Sequence, residues 1–475
     1  MIYFPKYFSR QAIIWYFVSL VAVSLVFFTN LMPAYLYLFG AVSVVAFFAG
    51  SSELTRRWAP LRSKTFEKKL FAGAFSIRLF YVIFIYLLNY SLYGTFHESE
   101  GADIGWYMES GQYIADMIRH GKWNFISLYS SWGIRYDDMG YNIYLAFVYL
   151  ICGSWSDVIV PLILKAFWGS LTCLYMYRIA TRHFGEGVGR MTGVFCMLQF
   201  NLIWWCGSMM KETEMVFILV AAMNAFDKGM LGKKLNIKTL VLALLLVVPV
   251  FYFRSVLGIA LIASIVLVIL LSGNKQVSST KKILAGLVFA VVAFVLVRGS
   301  VFPHPESIIQ ENMEREEQDV NMEWRAEREG GNTLAVHAST AVFAPLIFIL
   351  PFPSMTYTQQ DQEMLMQVNG GNYVKNVMAF FCMLAVILML FNGKWREHII
   401  PLTVLLVYLL SLAVSEFAQS GRFHLPAIPL EMMFAAYGIT LMTPKRKSWF
   451  VAFLVLEFLF CIGWNWFKLA GRGLV

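Results

Sequence analysis

The chain has 475 residues, of which 59% are hydrophobic and 14% are charged, with a formal net charge of +9. Soluble domains carry roughly 25% charged residues, so these charges are too few to cover the surface of a soluble fold of this length. Composition therefore excludes a cytosolic enzyme, a secreted disulfide scaffold and a nucleic-acid-binding domain, and it indicates a polytopic membrane protein.

Apolar stretches long enough to cross a hydrocarbon core of about 30 Å recur along the whole chain. The basic N-terminal segment precedes such a stretch without a small-residue cleavage site, which indicates a retained first span rather than a removed signal peptide. We expect an all-α protein with one integral membrane domain over residues 1–475 and about thirteen transmembrane helices. The predicted spans are 11–30, 33–50, 70–93, 155–180, 191–208, 213–228, 239–253, 256–272, 283–298, 374–392, 399–416, 425–442 and 448–467.

The segments between these spans alternate in charge. One set, which includes residues 1–10, 56–69 and 178–190, carries 23 Lys and Arg against five acidic residues, and the opposite set carries 12 against 22. Because cytoplasmic loops retain Lys and Arg, the first set and the N-terminus are predicted to be cytoplasmic. The net positive charge is then a consequence of membrane topology.

Two large regions, 94–154 and 299–373, are predicted to lie on the outer side. Each contains an apolar stretch, 140–153 and 341–353, that is shorter than the roughly 17 residues a helix needs to span a bilayer. We expect both stretches to be helices that lie along the outer interface or dip partly into it. Residues 306–329 hold nine acidic and three basic residues, a pattern typical of a solvated amphipathic helix.

The first outer region carries a cluster of carboxylates, Glu98, Glu100 and Asp103, followed by an amphipathic segment over residues 104–120. A carboxylate close to the lipid surface can act as a general base on an incoming hydroxyl. The same acids also suit the solvated N-terminus of a helix, with Asp103 as its N-cap. Both interpretations remain open at this level.

Metal-binding signals are weak. The adjacent acids Asp137 and Asp138 are weak candidates for holding a divalent cation, and a solvated turn explains them as well. The six cysteines form no CxxC or CxxH pair, so we expect neither a disulfide framework nor a zinc site.

A small set of basic residues on the predicted outer side lies at the ends of predicted spans. A guanidinium binds phosphate through two parallel hydrogen bonds and keeps its charge, which favours an anionic substrate site. Snorkelling to lipid headgroups is the alternative for any single one of them. The residues concerned are Lys211, Arg254, Arg298 and Arg422, with His424 beside the last.

The ionisable residues within predicted spans include Arg78, Lys165, Glu431 and Glu457. Charges at this depth are costly and usually face the interior of the bundle, so we expect these four to pair with each other.

Several short motifs resemble the GT-C glycosyltransferase superfamily, which includes bacterial relatives of protein O-mannosyltransferases and the lipid A aminoarabinose transferases. The first outer region matches as Asp103-x-x-x-Tyr107, and Lys211-Glu212 is similar to a Lys-Glu of bacterial members. Segments near 351–353 and 422–438 look like the family's late segments. The chain differs in having two spans before the one that bears the loop and in lacking an acidic doublet at Asp103.

The resemblance implies an inverting transfer of a sugar from a polyprenyl-phosphate-linked donor at the outer face of a bacterial cytoplasmic membrane. The acceptor is then a glycan, a lipid or a protein, and no nucleic acid takes part. The resemblance makes Asp103 the general base, with Glu98 or Glu100 in reserve. It implies that the charge of the leaving lipid phosphate is neutralised by Lys211, Arg254, Arg422 and His424. Arg298 and Tyr107 are then further contacts of the lipid-linked sugar donor.

Two other functions fit part of the pattern. A polysaccharide polymerase or ligase of the O-antigen type, acting on lipid-diphosphate oligosaccharides, also has a large outer loop and functional outer arginines. A lipid or glycan transporter needs no base, but transporters are typically built from internal repeats, which this chain does not show. No cofactor is certain from the sequence, and a divalent cation remains open.

Overall fold

The computed structural model describes residues 2–97, 102–123, 139–153, 158–231, 237–271, 331–334, 344–357, 366–415 and 418–474, with a few positions between 279 and 287. Within these ranges the regular structure is helical and contains no strand. Short 3₁₀ helices cover Phe28–Asn30, Trp205–Gly207, Ala344–Leu346 and Lys394–His398. The α-helices are α1 (Lys6–Val26), α2 (Ala34–Trp58), α3 (Ser63–Tyr93), α4 (Ala102–Arg119), α5 (Met139–Cys152), α6 (Ile159–Phe184), α7 (Glu186–Leu198), α8 (Phe200–Trp204), α9 (Glu212–Leu231), α10 (Ile237–Phe253), α11 (Ser255–Leu271), α12 (Asn369–Phe391), α13 (Ile399–Ala413), α14 (Gly421–His424), α15 (Ile428–Thr440) and α16 (Pro444–Ala470).

Seven helices of the described chain are long and apolar enough to cross a membrane. They are α1, α2, α3, α6, α12, α16 and the continuous stretch Lys394–Ala413 that contains α13. The apolar helices α10 and α11 have 17 residues each, which is the shortest length that spans a bilayer. The protein is therefore a helical multi-pass membrane protein by the length and composition of its helices.

The bundle is centred on α6, α7, α12 and α15. Helix α7 packs on both α6 and α15, and α15 packs closely on α12. Helices α1, α2 and α16 cover one flank, while α9, α10, α11 and α13 form the other. The short helices α4 and α5 pack on each other, and α5 also contacts α6 and α10. Helix α5 has 14 residues and includes the short apolar stretch for which the sequence predicts a helix that does not span.

The basic segments meet at one end of the bundle, which we call the basic end. Gly185, with φ +84°, makes the turn between α6 and α7 there, a backbone conformation that glycine adopts without strain. Hydrogen bonds join the segments at this end: Phe4 to Thr55 (3.0 Å), Arg178 to Glu67 (2.8 and 2.9 Å), Arg190 to Leu61 (2.6 Å) and His183 to His398 (3.4 Å). The candidate site lies at the opposite end.

The predicted span 191–208 is wrong as a single helix, because the chain leaves the helical conformation at Gln199 (φ −67°, ψ 113°). The Gln199 side chain donates to the Gly371 carbonyl of α12 at 3.1 Å. The buried guanidinium of Arg78 donates to the carbonyls of Cys196 and Met197, at 3.1 and 3.4 Å. The last carbonyls of a helix that ends inside a membrane bundle need such internal partners, and Arg78 supplies them for α7.

The apolar stretch 341–353 is not the helix that its sequence predicts in the part that the structure describes. One 3₁₀ turn forms there, at Ala344–Leu346, and further turn and irregular chain with a cis Leu350–Pro351 bond follow it. Leu350 is fully buried, so this segment lies inside the protein rather than along its surface. The ammonium group of Lys375 donates to the carbonyls of Phe348 (3.0 Å) and Leu350.

The buried ionisable residues do not pair with each other as predicted. Arg78 binds backbone carbonyls, Lys165 pairs with Glu214 at 2.6 Å, and Glu431 lies 3.6 Å from Lys375. Three buried cations each bind backbone carbonyls where a helix ends or the chain is not helical: Arg78 those in the last turn of α7, Lys165 that of Met210, and Lys375 that of Leu350. Their common role is to donate hydrogen bonds to backbone carbonyls that lack a helical partner where the helices are interrupted.

Replacing Gly438 with alanine is expected to destabilise the protein by about 1–3 kcal/mol through overpacking. A Cβ at residue 438 of α15 would lie 2.7 Å from the carbonyl carbon of Phe381 in α12, so the two helices would have to separate. Gly463→Ala is the matched control, because a Cβ there meets nothing within 4 Å. Thermal unfolding in detergent measures both variants, and equal melting temperatures would contradict the prediction.

Candidate functional site

Helix α4 places Asp103 at the end of the bundle opposite the basic end. Asp103 lies in the first turn of α4, where a carboxylate is stabilised by the helix dipole, and its side chain is 56% exposed. The other face of α4 is apolar: Ile104 and Tyr107 are buried, and the Tyr107 ring meets Tyr141 of α5 edge to face at 5.2 Å. This packing fixes α4 and holds the Asp103 carboxylate at the surface.

Arg422 connects Asp103 to the interior. Its Nη1 donates to Asp103 Oδ2 at 2.8 Å, and its Nε donates to Glu212 Oε1 in a second ion pair. Burial alone would lower the pKa of Arg422, but Glu212, Tyr107 and Asp103 together raise it above its ordinary value. The guanidinium is therefore permanently charged, and its two carboxylate partners fix its orientation.

Glu212 is fully buried at the start of α9 and lies between two arginines. Its Oε1 accepts from Arg422 and lies 3.6 Å from Arg254 Nη2. The Arg254 side chain is 9% exposed and stacks over the Phe423 ring at 4.2 Å. Two positive charges thus compensate the cost of burying this carboxylate. Arg254 Nη1 and Glu212 Oε2 have no hydrogen-bond partner among the described residues.

Lys211 and Tyr107 also lie in this neighbourhood. Lys211 is buried and close enough to Glu212 to stabilise its charge. Burial raises the pKa of Tyr107, which keeps its hydroxyl neutral beside Arg422, Glu212 and Asp103. Four of the predicted residues, Asp103, Tyr107, Arg254 and Arg422, are thereby brought together around Glu212, with Lys211 near them.

His424 is placed differently from the others. Its side chain is fully buried, and Nε2 lies 2.6 Å from the carbonyl oxygen of Ala418. The imidazole therefore helps to hold the turn before α14 and does not reach the surface where Asp103 lies. We do not retain it as a phosphate ligand.

A second ion pair lies deeper behind this cluster. Lys165 of α6 and Glu214 of α9 form a fully buried salt bridge at 2.6 Å, and the Lys165 ammonium lies 4.9 Å from the centre of the Tyr141 ring. Glu214 Oε1 has no hydrogen-bond partner among the described residues. Glu214 is not among the residues predicted from the sequence, although the spacing of Glu212 and Glu214 at the start of an apolar helix is a visible signal.

Five predicted candidates fall outside the described residues: Glu98, Glu100, Asp137, Asp138 and Arg298. Within the described ranges, no group of three or more His, Cys, Asp or Glu side chains lies close enough to hold a metal ion.

The arrangement combines an exposed carboxylate with partly buried guanidinium groups. Such a site can accept a proton at Asp103 and can stabilise an anion beside Arg422 and Arg254. Comparisons of the chain with protein-family models, with curated proteins and with solved structures give no match. A functional assignment must therefore come from the chemistry of these residues and from the sequence motifs.

Proposed function

We propose that the protein is a GT-C-type glycosyltransferase that moves a sugar from a polyprenyl-phosphate donor to an acceptor hydroxyl. The observation that carries the proposal is the contact at 2.8 Å between the exposed Asp103 carboxylate and Arg422, which joins a candidate base to a candidate anion site. The Asp103-x-x-x-Tyr107 spacing and Lys211-Glu212 add the family resemblance described above.

In the proposed reaction, the acceptor hydroxyl attacks the anomeric carbon of the donor sugar while Asp103 takes the hydroxyl proton. The new glycosidic bond forms as the bond to the lipid phosphate breaks, and the configuration is inverted. The leaving phosphate carries away the electron pair of the broken bond, and Arg254, Lys211 and Arg422 stabilise its charge. Arg422 also orients Asp103, while Glu212 holds both arginines in place.

The membrane placement is part of the proposal. Thirteen spans, a cytoplasmic N-terminus and an outer site in a bacterial cytoplasmic membrane follow from the charge distribution and from the resemblance. A lipid-linked donor would then enter from the bilayer with its phosphate at headgroup depth, at the end of the bundle where α4 lies. The acceptor would be a glycan, a lipid or a protein.

The test is turnover of labelled lipid-linked sugars by the purified protein in lipid. We expect release of lipid monophosphate from at least one polyprenyl-phosphate sugar when several donor sugars and acceptors are tried. Donor binding is recorded separately from turnover, because affinity and chemistry are different properties.

Substrate class separates this function from its main alternative. Chain extension of lipid-diphosphate oligosaccharides, with no turnover of any monophosphate donor, would replace the transferase by a polymerase or ligase of the O-antigen type. Movement of intact donor across the bilayer without bond cleavage would instead identify a transporter.

A further inference from the structure

A second group of ionisable side chains lies in the bundle core, away from Asp103. Lys375 and Asn376 of α12, Glu431 of α15 and Glu457 of α16 are at most 1% exposed. Lys375 Nζ donates to the carbonyls of Phe348 and Leu350 and lies 3.6 Å from Glu431 Oε1. Asn376 Nδ2 donates both to Glu457 Oε1 and to the Pro351 carbonyl, each at 3.1 Å.

We infer that Glu457 binds one exchangeable proton in the interior of the bundle. The first argument is charge. Among the described residues of this cluster there are two carboxyl groups and one ammonium group, and Lys375 lies within electrostatic range of both carboxyls. If both carboxyls were ionised, one negative charge would remain unbalanced in the core. Burial of an unbalanced charge is so costly that the group takes up a proton instead.

The second argument is hydrogen bonding. Glu457 Oε2 and Asn376 Oδ1 are buried and have no hydrogen-bond partner among the described residues. An ionised carboxylate in such a place needs a paired cation or several donors, whereas Glu457 receives one amide donor at Oε1 and a long contact of 3.9 Å from Cys461 Sγ, and it has no ion-pair partner in the described part of the chain. A protonated acid loses far less by leaving one oxygen without a donor.

Position decides which carboxyl holds the proton. Neither oxygen of Glu431 has a hydrogen-bond partner among the described residues, but Glu431 lies within ion-pair distance of Lys375, so the ammonium charge is matched to Glu431. Among the described polar groups, Glu457 contacts only the neutral Asn376 amide and the Cys461 thiol at close range. It is therefore the carboxyl group whose charge no described cation balances. The ionisable groups that face this cluster from the packed elements are Lys375, Tyr373 and Cys382 of α12, Glu431 of α15, His424 of α14, Cys461 of α16 and Tyr16 of α1.

Release of the proton would change the hydrogen bonds that hold the non-helical segment 348–351. A charged Glu457 attracts the Asn376 amide and the Lys375 ammonium, and both groups hold carbonyls between residues 348 and 351. The proton site is thus linked to the non-helical backbone of the core through two hydrogen-bonding side chains. The inference is independent of the glycosyltransferase proposal.

Infrared difference spectroscopy of the purified protein in lipid tests the assignment, because a protonated carboxylic acid has a carbonyl stretch that a carboxylate lacks. We expect this band at neutral pH in the wild type and its loss in Glu457→Gln. The control Glu109→Gln removes an exposed acid of α4 and should keep the band. Absence of the band from the wild type, or its persistence in Glu457→Gln, would overturn the inference.

The pH dependence of unfolding is a second measurement. Glu457 is protonated in the folded state, and in the unfolded chain it ionises above about pH 4.3. The folded state then binds one more proton, so stability falls as pH rises, by up to a tenfold change in the unfolding equilibrium constant per pH unit. Glu457→Gln should lose this slope and stay close to wild-type stability at pH 7, whereas Glu431→Gln should destabilise. The reverse ranking of the two variants would contradict the assignment to Glu457.

Discussion

Replacing Asp103 with asparagine is expected to lower sugar transfer by about 10²–10⁴-fold, the usual contribution of a positioned general base. Asparagine keeps the size of the side chain and an oxygen that Arg422 Nη1 can bind, but it cannot take a proton from the acceptor. Because Arg422 retains its pair with Glu212, donor binding should change little. The measurement is the initial rate of lipid-phosphate release, with donor affinity measured in parallel.

Glu109→Gln is the matched control for this variant. Glu109 is an exposed acid on the same helix, α4, and its removal should leave the transfer rate near that of the wild type. Retained transfer by Asp103→Asn would remove Asp103 from the role of base and would direct attention to Glu98 and Glu100. Lost donor binding in Asp103→Asn would show that the carboxylate positions Arg422 and would leave proton transfer unassigned.

Replacing Lys165 with methionine is expected to cost about 3–5 kcal/mol of unfolding free energy, the usual cost of breaking a buried ion pair. Methionine preserves most of the volume, so the main losses are electrostatic. The Glu214 carboxylate would be left buried without its cation, and the Met210 carbonyl would lose its donor. Chemical or thermal unfolding in a defined detergent measures the change.

The double variant Lys165→Met with Glu214→Gln separates the two losses. Removing the orphaned charge should recover much of the lost stability, because a neutral buried amide costs far less than an unpaired carboxylate. A double variant that is as unstable as the sum of the two single variants would mean that the pair is not coupled. In that case the carbonyl of Met210 would account for the importance of Lys165.

The helices could be predicted from the sequence because a membrane span needs little more than length and hydrophobicity. The predicted spans 33–50, 70–93 and 374–392 fall on α2, α3 and α12. Helix α2 continues to Trp58, beyond the predicted end, because Arg and Lys maintain a helix as well as apolar residues do. The break at Gln199 could not be predicted, since it depends on partners in α3 and α12 that hydropathy does not show.

The site could be predicted only as a set of residue types. Asp103 and Arg422 stand 319 residues apart in the chain, and no local pattern shows that they touch. The sequence also does not show that Arg422 and Arg254 are tied to the buried Glu212, nor that His424 points away from the surface. Contacts between distant segments are decided by packing. The residue types of the site could therefore be predicted from the sequence, but the ion pairs between them could not.

The buried cations that bind interrupted backbone also constrain the order of assembly during synthesis. A Lys or Arg at the centre of an isolated span adds about 2.5–3.5 kcal/mol to the cost of insertion, and the acceptors of Arg78 and Lys165 lie on later parts of the chain. The acceptors of Arg78 are the carbonyls of Cys196 and Met197, which are synthesised more than a hundred residues later. The partners of Lys165 are the Met210 carbonyl and Glu214, which also come later in the chain. We therefore expect α3 to insert stably together with α7, and α6 together with α9, so that these four helices assemble as one unit.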